Sequence, residues 1–122
     1  MQSAFKNIQT FIGAKNYNES RAFYQTLGFK EVILSDEMSL FKVNEDLAFY
    51  LQDYYVKEWI NNSMMFMEVE NVDACWEELL ATKLDQQYKN VRFTPIKTFA
   101  HGRQCFMHDP SGVLWHFCEF KK

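Results

Sequence analysis

The sequence predicts an α+β domain in which two βαβββ repeats form a curled mixed sheet around a cleft, with the helices on the outer faces. Segments with strand and helix patterning follow the order strand, helix and three strands, and that order occurs twice. The halves align without gaps over their first elements, since Gln9 precedes Met64 by as many positions as Asn16 precedes Asn71. Turn chemistry at residues 109–112, before an apolar run, predicts a closing hairpin strand.

The length of the chain limits it to one domain, residues 1–122, because 122 residues are too few for two independent cores. The first repeat is predicted over about residues 5–53 and the second over about residues 63–120. Hydrophobic residues make up 48% of the chain and aromatics 17%, which favours compact folding. Neither repeat can bury a sheet face alone, so we expect them to pair and to line a cleft with inward-facing strand residues.

The first repeat is predicted to begin with a strand over residues 6–13, in which Gly13 marks a bend or a close backbone approach. Asn16 is the predicted helix cap, with Glu19 three residues later, and Gly28 ends the helix. Polar turns then separate three short strands, predicted over residues 29–34, 38–43 and 47–52.

The second repeat follows after residues 54–62, a polar and aromatic segment predicted as a loop or a short helix. It is predicted to contain a strand over residues 64–69 and a helix over residues 72–84 capped by Asn71. Three further strands are predicted over residues 91–98, 104–107 and 113–120. On the last strand, two-residue periodicity puts His116 on the face opposite Trp115.

Charge and cysteine content exclude several classes of protein. The formal net charge is −3, and no Lys/Arg cluster interleaves with aromatics, so no nucleic-acid partner is expected. No apolar run approaches membrane-spanning length and the start lacks a signal-peptide pattern, so no membrane partner is expected. Cys75, Cys105 and Cys118 lack CxxC spacing and predict reduced, buried thiols in a cytoplasmic protein.

Two motifs identify a family resemblance. SRAFYQTLGF, residues 20–29, resembles the helix-end signature of the glyoxalase, bleomycin-resistance and extradiol-dioxygenase superfamily, also called the vicinal oxygen chelate superfamily. HDPSGVLWHF, residues 108–117, resembles the closing turn and last strand of the same superfamily. Residues 100–103, AHGR, stand where members often carry an aromatic-glycine loop. The resemblance spans nearly the whole chain and implies the fold predicted above.

The resemblance also implies where a metal would bind. Metal-dependent members place ligands on the first and last strand of each repeat, which correspond by register to Gln9, Tyr50, Met64 and His116. Gln9 and His116 are suitable ligands, but methionine suits soft ions and tyrosine is an uncommon ligand. The resemblance therefore implies that the usual metal site is absent and that no cofactor is required.

A cleft without the metal is implied to be apolar and aromatic, as in the metal-free antibiotic-binding members of the superfamily. Those members sequester planar or aromatic drugs without transforming them. The residues expected to bind such a ligand are Gln9, Phe11, Ala48, Tyr50, Trp59, Met64, Phe66, His101, Leu114 and His116.

Several of these residues have alternative interpretations. His116 is a candidate catalytic base or a neutral histidine in the cleft wall. Trp59 belongs to a lid over a planar ligand or to a dimer contact. His101 contacts ligand from a loop or is a plain turn residue.

The favoured function is small-molecule binding by a homodimer. The alternative is a metal-dependent lyase, isomerase or dioxygenase of the same superfamily, which uses His116 and Gln9 with a divalent metal ion. A closed cleft that serves only protein association is the third possibility.

Overall fold

The computed structural model describes residues 3–122 and divides them into four helices and eight strands. The first repeat contains β1 (Phe11–Gly13), α1 (Tyr17–Thr26), β2 (Lys30–Ser35), β3 (Met38–Lys42) and β4 (Ala48–Gln52). α2 (Lys57–Asn62) connects the repeats. The second repeat contains β5 (Met64–Glu68), α3 (Val72–Thr82), α4 (Leu84–Gln87), β6 (Arg92–Phe99), β7 (Gly102–His108) and β8 (Leu114–Phe120).

Each repeat forms its own four-stranded mixed sheet, and the two sheets have the same topology. The strand orders are β1-β4-β3-β2 and β5-β8-β7-β6. In each sheet the first strand pairs in parallel with the last, and the remaining pairs are antiparallel. The predicted fold class is therefore confirmed.

The strand registers relate the two repeats residue by residue. Phe11 lies opposite Tyr50 in the first sheet, and Phe66 lies opposite His116 in the second. Phe11 and Phe66 are separated along the chain by the same interval as Gln9 and Met64. His116 is thus the counterpart of Tyr50.

One aromatic core joins the two repeats. Trp115 of β8 packs on Phe49 of β4 and on Tyr24 of α1, with ring centroids 5.3 and 5.8 Å apart. Phe41 and Phe23 complete the contact around Tyr24. Such edge and tilted packing is the geometry that aromatic rings prefer. The residues of β8 alternate between two faces as predicted, and the face that carries Trp115 and Phe117 is the buried one.

Three local features follow from backbone chemistry. Gly28 and Gly112 adopt φ of 99° and 105°, so both turns use the left-handed conformation that glycine tolerates. At Gly13 the backbone comes close to the carbonyl oxygen of Tyr54, and a Cβ would clash with it. Asn16 and Asn71 accept hydrogen bonds from the N–H groups of Glu19 and Ala74, as predicted for helix caps.

Two predicted elements differ from the structure. The strand expected over residues 6–13 is restricted to Phe11–Gly13, and Ile8 is 97% exposed. The helix expected over residues 72–84 ends at Thr82 because Lys83 is left-handed, with φ 55°. Leu84 then begins a separate short helix and is buried, so apolar periodicity continues across the break.

Among residues 3–122, no helix combines the length and the apolar character that crossing a membrane requires.

Candidate ligand-binding site

The second sheet has an open face that carries a row of three rings. Phe66, His116 and Phe106 lie side by side on β5, β8 and β7. The centroid of the His116 ring is 5.8 Å from that of Phe66 and 5.1 Å from that of Phe106. We call these three residues the aromatic row. Phe66 remains 53% exposed, so the row presents rings to solvent.

A polar chain runs across this face beside the aromatic row. Nδ1 of His116 lies 3.2 Å from Oε1 of Gln104, and Nε2 of Gln104 lies 3.1 Å from Nε2 of His101. Gln104 is only 4% exposed, and these contacts satisfy both ends of its amide. Nε2 of His116 lies 3.4 Å from the sulfur of Met64. The amide therefore fixes the orientation of both imidazoles.

Burial determines the protonation state of His116. Partial desolvation lowers the pKa of its imidazole below the ordinary value of 6.5. At neutral pH the ring is therefore uncharged, with one nitrogen that donates and one that accepts.

The open face of the first sheet carries a second pair of aromatic rings. Phe11 and Tyr50 stack with centroids 4.7 Å apart and planes 17° apart. Trp59 of α2 packs on Tyr54 at 5.7 Å. Phe11 and Trp59 both line a cavity of about 60 Å³.

A cavity of about 540 Å³ lies between the two repeats. Three of the predicted ligand-binding residues, Gln9, Ala48 and Phe66, line it. Its remaining lining is mostly apolar, with three acidic side chains and one amide, and consists of Asn7, Ile8, Val43, Asp46, Leu47, Phe49, Met65, Met67, Glu68, Val69, Glu70 and Trp115. Both repeats therefore contribute to this cavity, and its acidic residues give it negative charge.

A second cavity, of about 330 Å³, lies at the other end of β5. Met64 and Leu114 supply its apolar wall. Its polar lining comes from residues that the sequence did not single out as site residues, and consists of Asn61, Asn62, Arg92 and His108, with Gly112 beside them.

The predicted site residues thus fall into three groups. Met64, Phe66, His101, Leu114 and His116 share the open face of the second sheet. Phe11, Tyr50 and Trp59 lie at the first sheet and α2, and Gln9 and Ala48 lie in the large cavity.

Sequence reasoning missed Phe106, Gln104 and His108. The two-residue alternation of β7 could have indicated these residues. Cys105 and Met107 lie on the core face of β7, and the three missed side chains lie on the opposite face. Alternation identifies site residues on β7 only when the pairing of β7 with β8 is known, because that pairing places Phe106 opposite His116.

The residues at the implied metal positions do not fit a hard divalent cation. The ring of Tyr50 stacks on Phe11, and the donor beside His116 is the thioether of Met64. A hard cation or zinc needs three or four oxygen or nitrogen donors around one point. Within residues 3–122, no group of three or more His, Cys, Asp or Glu side chains could hold a metal ion. These positions therefore do not form a site for a hard divalent cation or zinc.

Solved structures resemble the whole chain. The bleomycin-binding protein of Streptomyces verticillus, complexed with copper(II)-bleomycin, superposes with a TM-score of 0.79 at 20% identity, over 98% of this chain and 100% of that one. TnmS3, an antibiotic-binding protein from Streptomyces sp. CB03234, gives 0.74 at 17% identity over 98% and 100%. The bleomycin resistance determinant of transposon Tn5 gives 0.74 at 13% identity over 97% and 100%.

A glyoxylase/bleomycin resistance protein/dioxygenase domain from Frankia sp. EAN1pec also superposes, with a TM-score of 0.71 at 13% identity over 99% and 100% of the two chains. The sequence matches no protein-family model, and no curated protein matches it. The chain therefore shares the fold of these bleomycin-binding, antibiotic-binding and glyoxylase/bleomycin resistance/dioxygenase structures, which is the fold that the resemblance of the two sequence motifs implied.

Proposed function

We propose that the protein binds an aromatic or planar small molecule in the cleft beside β5 and holds it without chemical change. The observation that carries this proposal is the aromatic row. Phe66 and Met64 are 53% and 64% exposed on one sheet face, although burial of apolar surface stabilises a protein by about 25 cal/mol per Å². A planar ligand that covers this face removes the exposed surface from water.

The dimensions of the cleft support a small organic ligand. Ligand cavities commonly have volumes of about 300–1,000 Å³, lined by apolar groups with a few polar ones. The cavity of about 540 Å³ lies within this range, and its wall combines Phe66, Met65 and Trp115 with the amide of Gln9. The ligand is expected to occupy this cavity and to extend over the aromatic row.

The surroundings of His116 support binding rather than turnover. Its side-chain contacts are the amide of Gln104, the sulfur of Met64 and the rings of Phe66 and Phe106. Acid and base catalysis by a pair of groups requires a second titratable side chain close to the reacting atoms. Neutral His116 supplies instead one hydrogen bond that orients a ligand over the rings.

Three of the solved structures with this fold are described as binding bleomycin or another antibiotic. Their likeness to this chain supports a ligand-binding role for the same architecture. Bleomycin is therefore a rational member of a ligand panel.

We further propose that two copies of the chain associate. Phe5 and Ile8 are 73% and 97% exposed on the segment that precedes β1. β1 and β5 are edge strands, whose free backbone groups are available for pairing. A second copy that covers this segment buries apolar surface and adds a wall to the cleft.

The experiment that tests binding is an isothermal titration of the protein with bleomycin and with a neutral planar probe, 2-naphthamide. Saturable binding of one probe per chain supports the proposal. Each probe is then recovered after long incubation, and its molecular mass is measured by mass spectrometry. A changed mass would favour an enzyme of the superfamily over a sequestering protein, and no saturable binding of either compound would refute the proposed function.

A further inference from the structure

The row of residues next to the aromatic row ends in a cation. Arg92 of β6 pairs with His108 of β7, His108 with Leu114 of β8, and Leu114 with Met64 of β5. Paired residues of neighbouring strands share a face, so these four side chains lie on the open face that carries the aromatic row. All four line the cavity of about 330 Å³, which we call the arginine cavity.

Arg92 is available to a ligand. The ion pairs found among residues 3–122 are Arg21 with Glu31 and Arg103 with Asp73, and neither involves Arg92. A guanidinium presents its donors as a planar fork that matches a carboxylate. The arginine cavity therefore holds a fixed positive charge without an anionic partner among the residues that the structure describes.

The imidazole of His108 gives an independent indication. Its Nδ1 is buried, and within residues 3–122 it has no hydrogen-bond partner. A buried polar atom without a partner is rare and needs a specific explanation, of which a functional role is one. Burial first, and then the charge of Arg92, lower the pKa of His108 below its ordinary value of 6.5.

The amides of Asn61 and Asn62 complete the polar wall of the cavity at the end of α2. Nδ2 of Asn62 donates one hydrogen bond to the carbonyl oxygen of Glu58 and retains a second N–H, so the amides of both Asn61 and Asn62 supply donors. No Asp or Glu lines the arginine cavity.

The opposite end of the cleft has the reverse charge. Asp46, Glu68 and Glu70 line the cavity of about 540 Å³, and no Lys or Arg lines it. An anionic group is repelled from that end and attracted to Arg92. The charge difference therefore gives a ligand one preferred orientation along β5.

We propose that the arginine cavity binds the carboxylate of a planar aromatic acid whose ring system covers the aromatic row. This inference rests on the proposed function, because it specifies the ligand class of the same site. Residues two positions apart on a strand are separated by about 7 Å, so the distance from the aromatic row to the row of Arg92 suits a fused-ring carboxylic acid.

The test compares two probes that differ in charge and little in shape, 2-naphthoate and 2-naphthamide. Both are titrated calorimetrically into the wild-type protein and into Arg92→Gln at pH 7.5. We expect 2-naphthoate to bind the wild-type protein about tenfold more tightly than 2-naphthamide, because a charge-assisted bidentate contact is the stronger one. Arg92→Gln should abolish that preference and leave the affinity for 2-naphthamide within about twofold.

The matched control is Lys97→Gln, which removes the same charge from the same strand at a residue outside the arginine cavity. It should retain the preference for 2-naphthoate. Equal affinity of the two probes for the wild-type protein, or an equal loss in both variants, would overturn the inference and leave the proposed function intact if 2-naphthamide binds. If neither probe binds, the inference is wrong, and the titration with bleomycin decides whether the proposed function fails with it.

Discussion

The hydroxyl group of Tyr24 donates a hydrogen bond to Oδ2 of Asp109 across 2.7 Å and accepts one from Nε1 of Trp115 at 3.0 Å. Oδ1 of Asp109 accepts from the N–H groups of Ser111, Gly112 and Val113, each at 2.9 Å. Tyr24 belongs to the first repeat, and Asp109 begins the turn that precedes β8. A buried network thus connects the helix of one repeat to the strand that carries His116.

Tyr24→Phe tests this network. The substitution leaves Oδ2 of Asp109 and Nε1 of Trp115 buried without their partner, and a buried unpaired polar group costs about 1–3 kcal/mol. We expect the free energy of unfolding to fall by about 3 kcal/mol in urea denaturation.

The control for this prediction is Tyr88→Phe, since Tyr88 also packs on Phe23 but its hydroxyl makes no hydrogen bond among residues 3–122. It should cost less than about 0.5 kcal/mol. Equal effects of the two substitutions would show that the network does not stabilise the fold.

Sequence patterning predicted the backbone role of Asp109 and not its partner. Asp109 belongs to a turn because its oxygen accepts from amides a few residues away, which is a local interaction. Tyr24 lies 85 positions earlier, and apolar periodicity marks it only as a helix residue. The contact depends on how the repeats pack, which the spacing of residues in the chain does not specify.

Glu31 provides a prediction about pH. Its carboxylate accepts a bidentate contact from Arg21, at 2.6 and 3.0 Å, with Ser39 and Gln25 as further donors. The hydrogen bond from Arg21 is the largest cause that lowers the pKa of Glu31 below its ordinary value of 4.5. A lowered pKa in the folded state stabilises the protein above pH 4.5, and this stabilisation is lost as the pH falls through the folded-state value.

Glu31→Gln should therefore reduce the free energy of unfolding by about 2 kcal/mol at pH 7. The difference from the wild-type protein should shrink as the pH falls below 4.5, since the wild-type carboxylate is then protonated. Urea denaturation of both proteins at several pH values measures this difference in the free energy of unfolding. A difference that stays constant from pH 7 to pH 3 would contradict the assignment.

The exposed segment before β1 gives a prediction about assembly. Two copies of the 14.6 kDa chain have a mass of about 29 kDa, which light scattering after gel filtration measures. Ile8→Glu places a charge at the most exposed of the large apolar side chains, and we expect it to shift the protein to the monomer. Leu80→Glu, on the exposed side of α3, is the control and should leave the mass unchanged. A wild-type monomer would contradict the proposed association.

The candidate site, like the contact between Tyr24 and Asp109, could be predicted from the sequence only in part. Alternation along β5 and β8 divided the residues of each strand between two faces, and the register implied by the family resemblance assigned Phe66 and His116 to the cleft. The position of Arg92 could not be predicted from the sequence. A bulge between Thr94 and Lys97 changes the register of β6, so alternation alone does not give the residue of β7 that pairs with Arg92.

The central claim is that the aromatic row binds a planar ligand that the protein does not transform. Its most direct test is a calorimetric titration of the wild-type protein, Phe66→Ala and Leu80→Ala with 2-naphthamide, followed by the mass of the recovered probe. The account predicts saturable binding, an unchanged probe mass, and about tenfold weaker binding to Phe66→Ala, because an aromatic contact contributes about 0.5–1.5 kcal/mol beyond its buried area. Leu80→Ala should bind like the wild-type protein. Absent binding, or equal affinity of Phe66→Ala and the wild-type protein, would contradict the account.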